Sequence, residues 1–155
     1  MSYPKPIKYR VKNPHKYSGD LRNVICRSSW EYHFCKFCDL HPSVIVFGSE
    51  HTQTVIPYVS PIDNKVHSYY PDFIMKMRTA KGDTPTYLIE IKPHAETMPP
   101  KEPKRKTKSY KEALKVYAVN SAKWEAARKW CAARGVIFKI LTEYDLHLKE
   151  RKSPT

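Results

Sequence analysis

The chain has 155 residues, enough for one domain around one hydrophobic core but not for two independently folded units. Hydrophobic residues make up 41% of it, and no apolar run approaches the roughly 18 residues that a membrane span requires, so we expect a soluble globular protein. Its formal net charge of +13 favours a polyanionic partner, nucleic acid first of all, although a basic structural protein of a ribosome or virion would carry the same excess.

The N-terminus and the cysteines bear on the compartment. Residues 1–10 carry positive charge without an apolar run or a small-residue cleavage site behind them, so we expect no secretory signal. The cysteines at positions 26, 35, 38 and 131 are therefore predicted to be free thiols in a reducing compartment.

The first quarter of the chain divides into an arm and a helix. Residues 1–23 are rich in Pro, Lys, Tyr, Arg and Asn without an apolar period, which predicts an extended basic arm lacking regular structure. From Arg27 to the stop at Pro42, ring-bearing side chains recur at helical spacing and predict a helix. These side chains are Trp30, Phe34, Phe37 and His41.

The remainder alternates between strands and helices. Strands are predicted where β-branched and aromatic residues cluster between turn signals, at 43–51, 52–59, 66–70, 72–77, 86–92 and 136–141. Turn clusters lie at 60–65 and 81–83. A loop at 94–108, rich in proline and lysine, follows the strand 86–92, and helical periods then cover 109–119 and 121–134.

The strand at 86–92 carries the chemistry. Its period of two places Leu88, Glu90 and Lys92 on one face and the two isoleucines on the other, so a carboxylate and an ammonium project together. Asp72 begins the preceding strand and can lie near Glu90 across the sheet. Cleavage of a phosphodiester by a divalent metal needs carboxylates that hold the ion and a group that positions the attacking water.

A Glu and a Lys two residues apart also occur as an ordinary ion pair on an exposed strand. Two features favour the functional interpretation here. The apolar neighbours of Glu90 indicate a buried strand, where unpaired charge is costly, and Pro71 and Asp72 lie one hairpin upstream.

These residues resemble a known family. Pro71 and Asp72, followed by Glu90 and Lys92 on the next strand, resemble the signature of the PD-(D/E)xK nuclease superfamily, and residues 27–31 (RSSWE) with 70–73 (YPDF) are similar to its TnsA-like endonuclease branch. A longer set resembles the head completion nucleases of T4-like tailed phages. It comprises NPHKY at 13–17, WE at 30–31, IPYVSP at 56–61, YPDF at 70–73, LIEIKP at 88–93, PKRKTK at 103–108 and NSAKWE at 120–125.

The resemblance implies an α/β fold of the restriction-endonuclease type, with a mixed central sheet flanked by helices. It implies that Asp72 and Glu90 bind Mg²⁺, with Mn²⁺ as a substitute, that Lys92 orients the water, and that Glu31 is a further catalytic and metal-binding carboxylate. Glu31 has a competing interpretation, because it follows Ser28 by three residues and this spacing forms a capping box at a helix start.

Other residues have two interpretations each. Cys35 and Cys38 could belong to a zinc site, but their place on the aromatic stripe favours small buried hydrophobes. Tyr117, Trp124 and Trp130 lie at helical spacings, which favours core packing over platforms for base stacking.

The positive charge suggests where DNA binds. The loop after the predicted active strand could be a solvated charge run, but its position favours contact with the DNA backbone. The predicted DNA-binding residues are Arg22, Arg27, Lys101, Lys104, Arg105, Lys106 and Lys108. No helix-turn-helix or zinc-finger pattern occurs, so we expect cleavage directed by DNA structure or ends.

We therefore expect a basic arm at 1–23, a nuclease domain at 24–148 and a tail at 149–155. The predicted function is a Mg²⁺-dependent DNA endonuclease that processes packaged phage DNA or its ends during head completion. Expected partners are double-stranded DNA and phage head, portal or neck proteins, in the bacterial host cytoplasm or the virion. The alternatives are a non-catalytic DNA-binding head or neck protein and a transposase-type DNA-cleavage subunit.

Overall fold

The structure is a computed structural model, and it describes residues 5–49 and 54–147. In chain order its elements are β1 (Ile7–Lys8), β2 (Ile25–Cys26), α1 (Ser29–Leu40), β3 (Val44–Ser49), β4 (Ile56–Val59), β5 (Val66–Tyr69), β6 (Phe73–Met77), β7 (Thr86–Ile91), α2 (Lys108–Ala133) and β8 (Ile137–Leu141). A four-stranded sheet has the order β3-β6-β7-β8, antiparallel except for the parallel pair β7-β8. The predicted α/β class with a mixed central sheet is confirmed.

The central strand β7 is buried on both faces, as its apolar run predicts. Ile89 and Ile91 pack on one face against α1, whose Phe34, Cys35 and Cys38 are buried in the same cluster. Leu88 packs on the other face against Trp124 of α2. The domain therefore has three layers, with α1 on one side of the sheet and α2 on the other.

Helix α1 begins and ends where the sequence predicts. The Ser28 hydroxyl accepts a hydrogen bond from the Glu31 N–H at 3.1 Å, which caps the helix start. The helix ends at Leu40, before Pro42, whose ring cannot continue the ladder of hydrogen bonds.

Residues 108–133 form one helix of 26 residues, so the prediction of two helices is wrong. The Thr107 hydroxyl caps its start by accepting from the Tyr110 N–H, and Gly135 follows its end with a φ of 69°. Asn120, where the sequence suggested a break, is buried against the core. Asn and Ser weaken a helix by only a few tenths of a kcal/mol each, which packing along 26 residues outweighs.

The N-terminal segment does not extend as an arm, and that prediction is wrong for residues 5–23. Strand β1 pairs with β2. Two short 3₁₀ helices lie between these strands in the chain, at Pro14–Lys16 and Leu21–Asn23. The reason is a buried carboxylate at Asp39 in α1, which accepts hydrogen bonds from the Tyr9 hydroxyl (2.7 Å), the Lys12 N–H (2.7 Å) and the Asn13 N–H (2.9 Å). The division into arm, domain and tail as functional units stays a prediction.

The same segment covers the outer edge of the sheet. The Ser18 N–H donates to the Phe47 carbonyl of β3 at 2.8 Å. A Cβ on Gly48 would lie 2.6 Å from the Ser18 carbonyl oxygen, so only glycine allows this approach. The N-terminal segment thus forms hydrogen bonds with backbone groups of β3 that an edge strand would otherwise expose to solvent.

Strands β4 and β5 form a separate hairpin, and both are shorter than predicted. The turn at 60–65 closes through a hydrogen bond from the Ser60 N–H to the Lys65 carbonyl at 2.9 Å. Ile56, Tyr58 and Tyr69 turn inward and pack with α2. The junction of the predicted strands 43–51 and 52–59 lies outside the described residues.

The four cysteines are free, as predicted, and all four are buried, which the sequence predicted for Cys35 and Cys38. The Cys26 sulfur lies 3.5 Å from that of Cys35, and the Cys38 sulfur lies 3.7 Å from that of Met75. Both Cys35 and Cys38 therefore pack as small apolar residues. Across residues 5–49 and 54–147, no helix is long and apolar enough to cross a membrane.

Replacing Asp39 by Ala should lower the free energy of unfolding by roughly 3 to 5 kcal/mol, because three buried or half-buried hydrogen-bond donors would lose their acceptor. Urea denaturation measures this loss, and Asp83→Ala in the exposed turn between β6 and β7 is the control.

Burial alone would raise the pKa of Asp39, but hydrogen bonds from Lys12, Tyr9 and Asn13 outweigh it and lower this pKa. The difference between wild type and variant should therefore shrink as the pH falls through that lowered pKa. An unchanged midpoint at neutral pH would contradict the proposed anchoring.

Candidate active site

Asp72 lies one residue before β6 and close to Glu90 of the neighbouring strand β7. In the antiparallel pair β6-β7, Phe73 faces Ile89, and continuing the register by one residue brings Asp72 to Glu90. The Ile91 N–H donates to Asp72 Oδ2 at 2.9 Å, which holds that carboxylate against the end of β7. The strand geometry predicted from the sequence thus brings two carboxylates together.

Glu90 is a buried charge with partners from three elements. It is 6% exposed, and the Tyr69 hydroxyl of β5 donates to its Oε2 at 2.5 Å. Lys92 Nζ lies 3.9 Å from its Oε1. Lys123 of α2 also acts on Glu90, and its Nζ lies 5.8 Å from the ring centroids of both Tyr58 and Tyr69.

The electrostatics of the pair suit a cation. Burial, and next the charge of Asp72, raise the pKa of Glu90 to about 7, although Tyr69, Lys92 and Lys123 act in the opposite direction. Two carboxylates that repel each other where water is largely excluded are stabilised by a divalent ion that takes oxygen ligands. Mg²⁺ is commonly held by one or two carboxylates together with water and substrate phosphate oxygens, so the donor set of Asp72 and Glu90 fits it.

Glu31 is placed differently from the other three predicted catalytic residues. Its helix α1 packs on the face of Ile89 and Ile91, whereas Glu90 extends to the face of Tyr69 and Lys123. The Ser28 hydroxyl, which caps α1, also donates to Glu31 Oε2 at 3.3 Å. Among the described residues, no group of three or more His, Cys, Asp or Glu side chains is arranged to hold a metal ion. The catalytic and metal-binding roles of Glu31 stay predictions.

The predicted DNA-binding residues lie on the surface. Arg22 forms an exposed ion pair with Asp20 at 3.2 Å, and Arg27 is exposed just before α1. The residues of the basic loop are all exposed, namely Lys101, Lys104, Arg105, Lys106 and Lys108, the last being the first residue of α2. These positions are accessible to a DNA backbone, and DNA contact there stays a prediction.

Tyr69 and Lys123 are site residues that the sequence reasoning missed. Tyr69 lies in the hairpin, one residue before the recognised 70–73 motif, and its hydroxyl reaches Glu90 only because β4 and β5 fold back beside α2. Lys123 lies within the 120–125 motif, whose resemblance was noted without a role. No local pattern in the sequence connects either residue to Glu90.

Glu90→Gln should stabilise the protein without divalent metal at neutral and alkaline pH. Because the pKa of Glu90 is raised to about 7, the folded state holds its proton where the unfolded state has lost it, and stability falls as the pH rises from about 4.5 to 7. Thermal unfolding in EDTA should give a melting temperature for the variant close to that of wild type near pH 5 and higher above pH 7. A variant less stable than wild type at pH 8 would contradict this electrostatic interpretation.

The chain matches known proteins over most of its length. Residues 41–143 match the family described as TnsA-like endonuclease N terminal. The match includes Asp72, Glu90 and Lys92 and leaves Glu31 outside it. The chain is also 37% identical over 140 residues to the head completion nuclease of Enterobacteria phage T4, covering 88% of this chain and 89% of that protein. No solved structure matches. With the family match spanning the whole central sheet and the likeness to the phage T4 nuclease extending over most of its length, the chain belongs to the TnsA-like endonuclease family.

Proposed function

We propose that this protein is a Mg²⁺-dependent endonuclease that hydrolyses phosphodiester bonds in DNA. The observation that carries the proposal is the pair formed by buried Glu90 of β7 and half-buried Asp72 just before β6, with the Lys92 ammonium 3.9 Å from Glu90. This combination supplies oxygen ligands for a cation and, beside them, an ammonium that can donate hydrogen bonds to a water molecule. Membership of an endonuclease family supports the reaction class.

The residues have separate tasks in this mechanism. Asp72 and Glu90 would hold Mg²⁺, which polarises the scissile phosphate and makes water more acidic when bound. Tyr69 fixes the orientation of Glu90 through its hydrogen bond, and the Ile91 N–H does the same for Asp72. Lys92, whose side chain is 29% exposed, orients the attacking water. Hydrolysis joins the water oxygen to phosphorus and breaks the bond to the sugar oxygen, which leaves with a proton.

The substrate and the setting form the finer part of the proposal. The net charge of +13 and the basic loop favour a nucleic-acid backbone. The phage T4 relative is named a head completion nuclease, so we assign to this chain the processing of packaged phage DNA or its ends during head completion. It would then act in the bacterial host cytoplasm or in the virion, next to phage head, portal or neck proteins. Glu31 is proposed as a third carboxylate of the site.

Asp72→Ala and Lys92→Ala should each lower DNA cleavage at least about 100-fold, because one removes a metal ligand and the other the group that orients water. Nicking or cutting of a plasmid measures this, with wild type active in Mg²⁺ or Mn²⁺ and inactive in EDTA. The retention of the plasmid by each variant should stay close to that of wild type.

A second measurement separates metal binding from activity. Mg²⁺ should raise the melting temperature of wild type by binding the folded state, and it should raise that of Asp72→Ala less. Wild type that retains DNA without cutting it under any divalent metal would favour the non-catalytic DNA-binding alternative.

Replacing Lys104, Arg105, Lys106 and Lys108 by Ala should weaken DNA binding and flatten its salt dependence. Each phosphate contact that is lost should reduce the slope of log K against log salt by about 0.9. Fluorescence anisotropy with a labelled duplex over a range of salt concentrations measures the slope.

The control removes Arg78 and Lys81 instead. These cations lie on the connection between β6 and β7, at the opposite end of the strands from Asp72 and Glu90. Their loss should change the slope less than the loop substitutions. Equal slopes for wild type and the loop variant would exclude the loop from the DNA-binding surface.

A further inference from the structure

A crevice of about 360 Å³ lies beside the active strand, outside the carboxylate site. One wall is formed by residues 95–100, which follow β7 and its Lys92, and the other by a face of α2 between positions 113 and 120. The α2 residues that line it recur at helical spacing, at 113, 116, 117 and 120. The volume lies at the lower end of the range for pockets that bind small ligands, roughly 300–1,000 Å³.

Asn120 is the unusual residue of this crevice. It is 9% exposed, and its side-chain amide has no hydrogen-bond partner within the part of the chain that the structure describes. No fully enclosed polar side-chain atom in that part lacks a partner, so the Asn120 amide keeps access to the space that the residue lines. A buried carboxamide usually finds a partner in the protein, and here its free donor and acceptor face a cavity.

The other residues that line the crevice are mostly apolar or aromatic, with one further charged group. Tyr117 is half-buried in the helical wall, although its spacing in the sequence predicted a place in the core. Met98 and Pro100 contribute apolar surface, and Glu96 adds an acceptor. A planar heterocycle with a hydrogen-bonding edge suits this set, because it stacks on a tyrosine ring and pairs with a carboxamide.

The surroundings favour a polyanion. The basic loop connects the two walls, and its cations from Lys101 to Lys108 are exposed. Ala95 follows Lys92 by three positions, so their Cα atoms lie at most about 11 Å apart. This is about three nucleotides along a DNA strand, at roughly 3.4 Å each.

We propose that this crevice receives one unstacked nucleobase of the DNA strand that lies in the active site, with Tyr117 stacking on the base and Asn120 bonding to its edge. This rests on the proposed DNA substrate. Unstacking a base costs least at a frayed end or in a single strand, so the crevice makes the protein prefer such DNA. It provides a physical basis for end-directed or structure-directed cleavage without a motif that reads base sequence.

The test is a scan of abasic sites. A labelled duplex with a single-stranded end carries one abasic nucleotide at successive positions, and binding is measured by anisotropy in EDTA, where no cleavage is expected. For wild type, one position should lower the affinity roughly 5- to 100-fold, the effect of losing one stacked base. Tyr117→Ala and Asn120→Ala should bind intact DNA more weakly and be insensitive to the abasic site at that position.

Two variants serve as controls. Tyr117→Phe keeps the ring and should behave as wild type, and Leu114→Ala removes an exposed apolar side chain that does not line the crevice and should also behave as wild type. Thermal unfolding checks that each variant is folded.

The outcomes separate this inference from the proposed function. Wild type that cuts DNA but shows equal affinity for every abasic position overturns the crevice proposal alone, even if a variant at Tyr117 fails to fold. Wild type that shows one sensitive position shared by Leu114→Ala and lost in Tyr117→Ala supports it. Wild type that binds no DNA overturns both.

Discussion

The buried charge of Glu90 on the central strand is the constraint on which the rest of the structure depends. A carboxylate that is 6% exposed and faces Asp72 is costly, and burial with that neighbour raises its pKa to about 7. Tyr69, Lys92 and Lys123 reduce the cost without removing it. Each comes from a different element, so the hairpin, the end of β7 and helix α2 are all required to keep the carboxylate in place. The proposed Mg²⁺ would relieve the remaining repulsion, which would connect the stability of the fold to the proposed chemistry.

The opposite face of the sheet provides the stability that such a site requires. There Phe34, Phe73 and Ile89 form an apolar cluster with the buried cysteines, and no catalytic carboxylate of the proposed pair enters it. The N-terminal segment completes this side by bonding to Asp39 and by covering the edge of β3. The segment is therefore part of the scaffold, with Lys16 buried in it and Lys5, Lys8 and Lys12 exposed on its surface. One face of the sheet is devoted to packing and the other carries charge.

The loop after β7 connects the carboxylate site to the proposed DNA-binding surface. Its first residues are held by the buried carboxylate of Glu143, which accepts from the His94 N–H at 2.8 Å. A short 3₁₀ helix at His94–Thr97 follows, and the chain then enters the basic stretch that leads into α2. The loop thus has an anchored start and an exposed cationic middle, whose lysines and arginine are the proposed phosphate-binding groups. The proposed base-binding crevice lies between the same loop and the same helix, so one connection would serve both backbone and base.

The sequence by itself determined the local geometry of the site. A strand period of two places Glu90 and Lys92 on one face, a hairpin brings Asp72 opposite, and Ser28 starts α1, because each depends on neighbours along the chain or across one turn. Only the tertiary structure decided the rest. The N-terminal segment folds through hydrogen bonds to Asp39, which is 26 to 30 residues away from its partners. The polar sequence of this segment has no apolar period and therefore does not predict those hydrogen bonds. Likewise Tyr69 and Lys123 reach Glu90, and Asn120 reaches a cavity, only once α2 and the hairpin pack over the sheet. Long-range packing places these groups, and no local pattern encodes it.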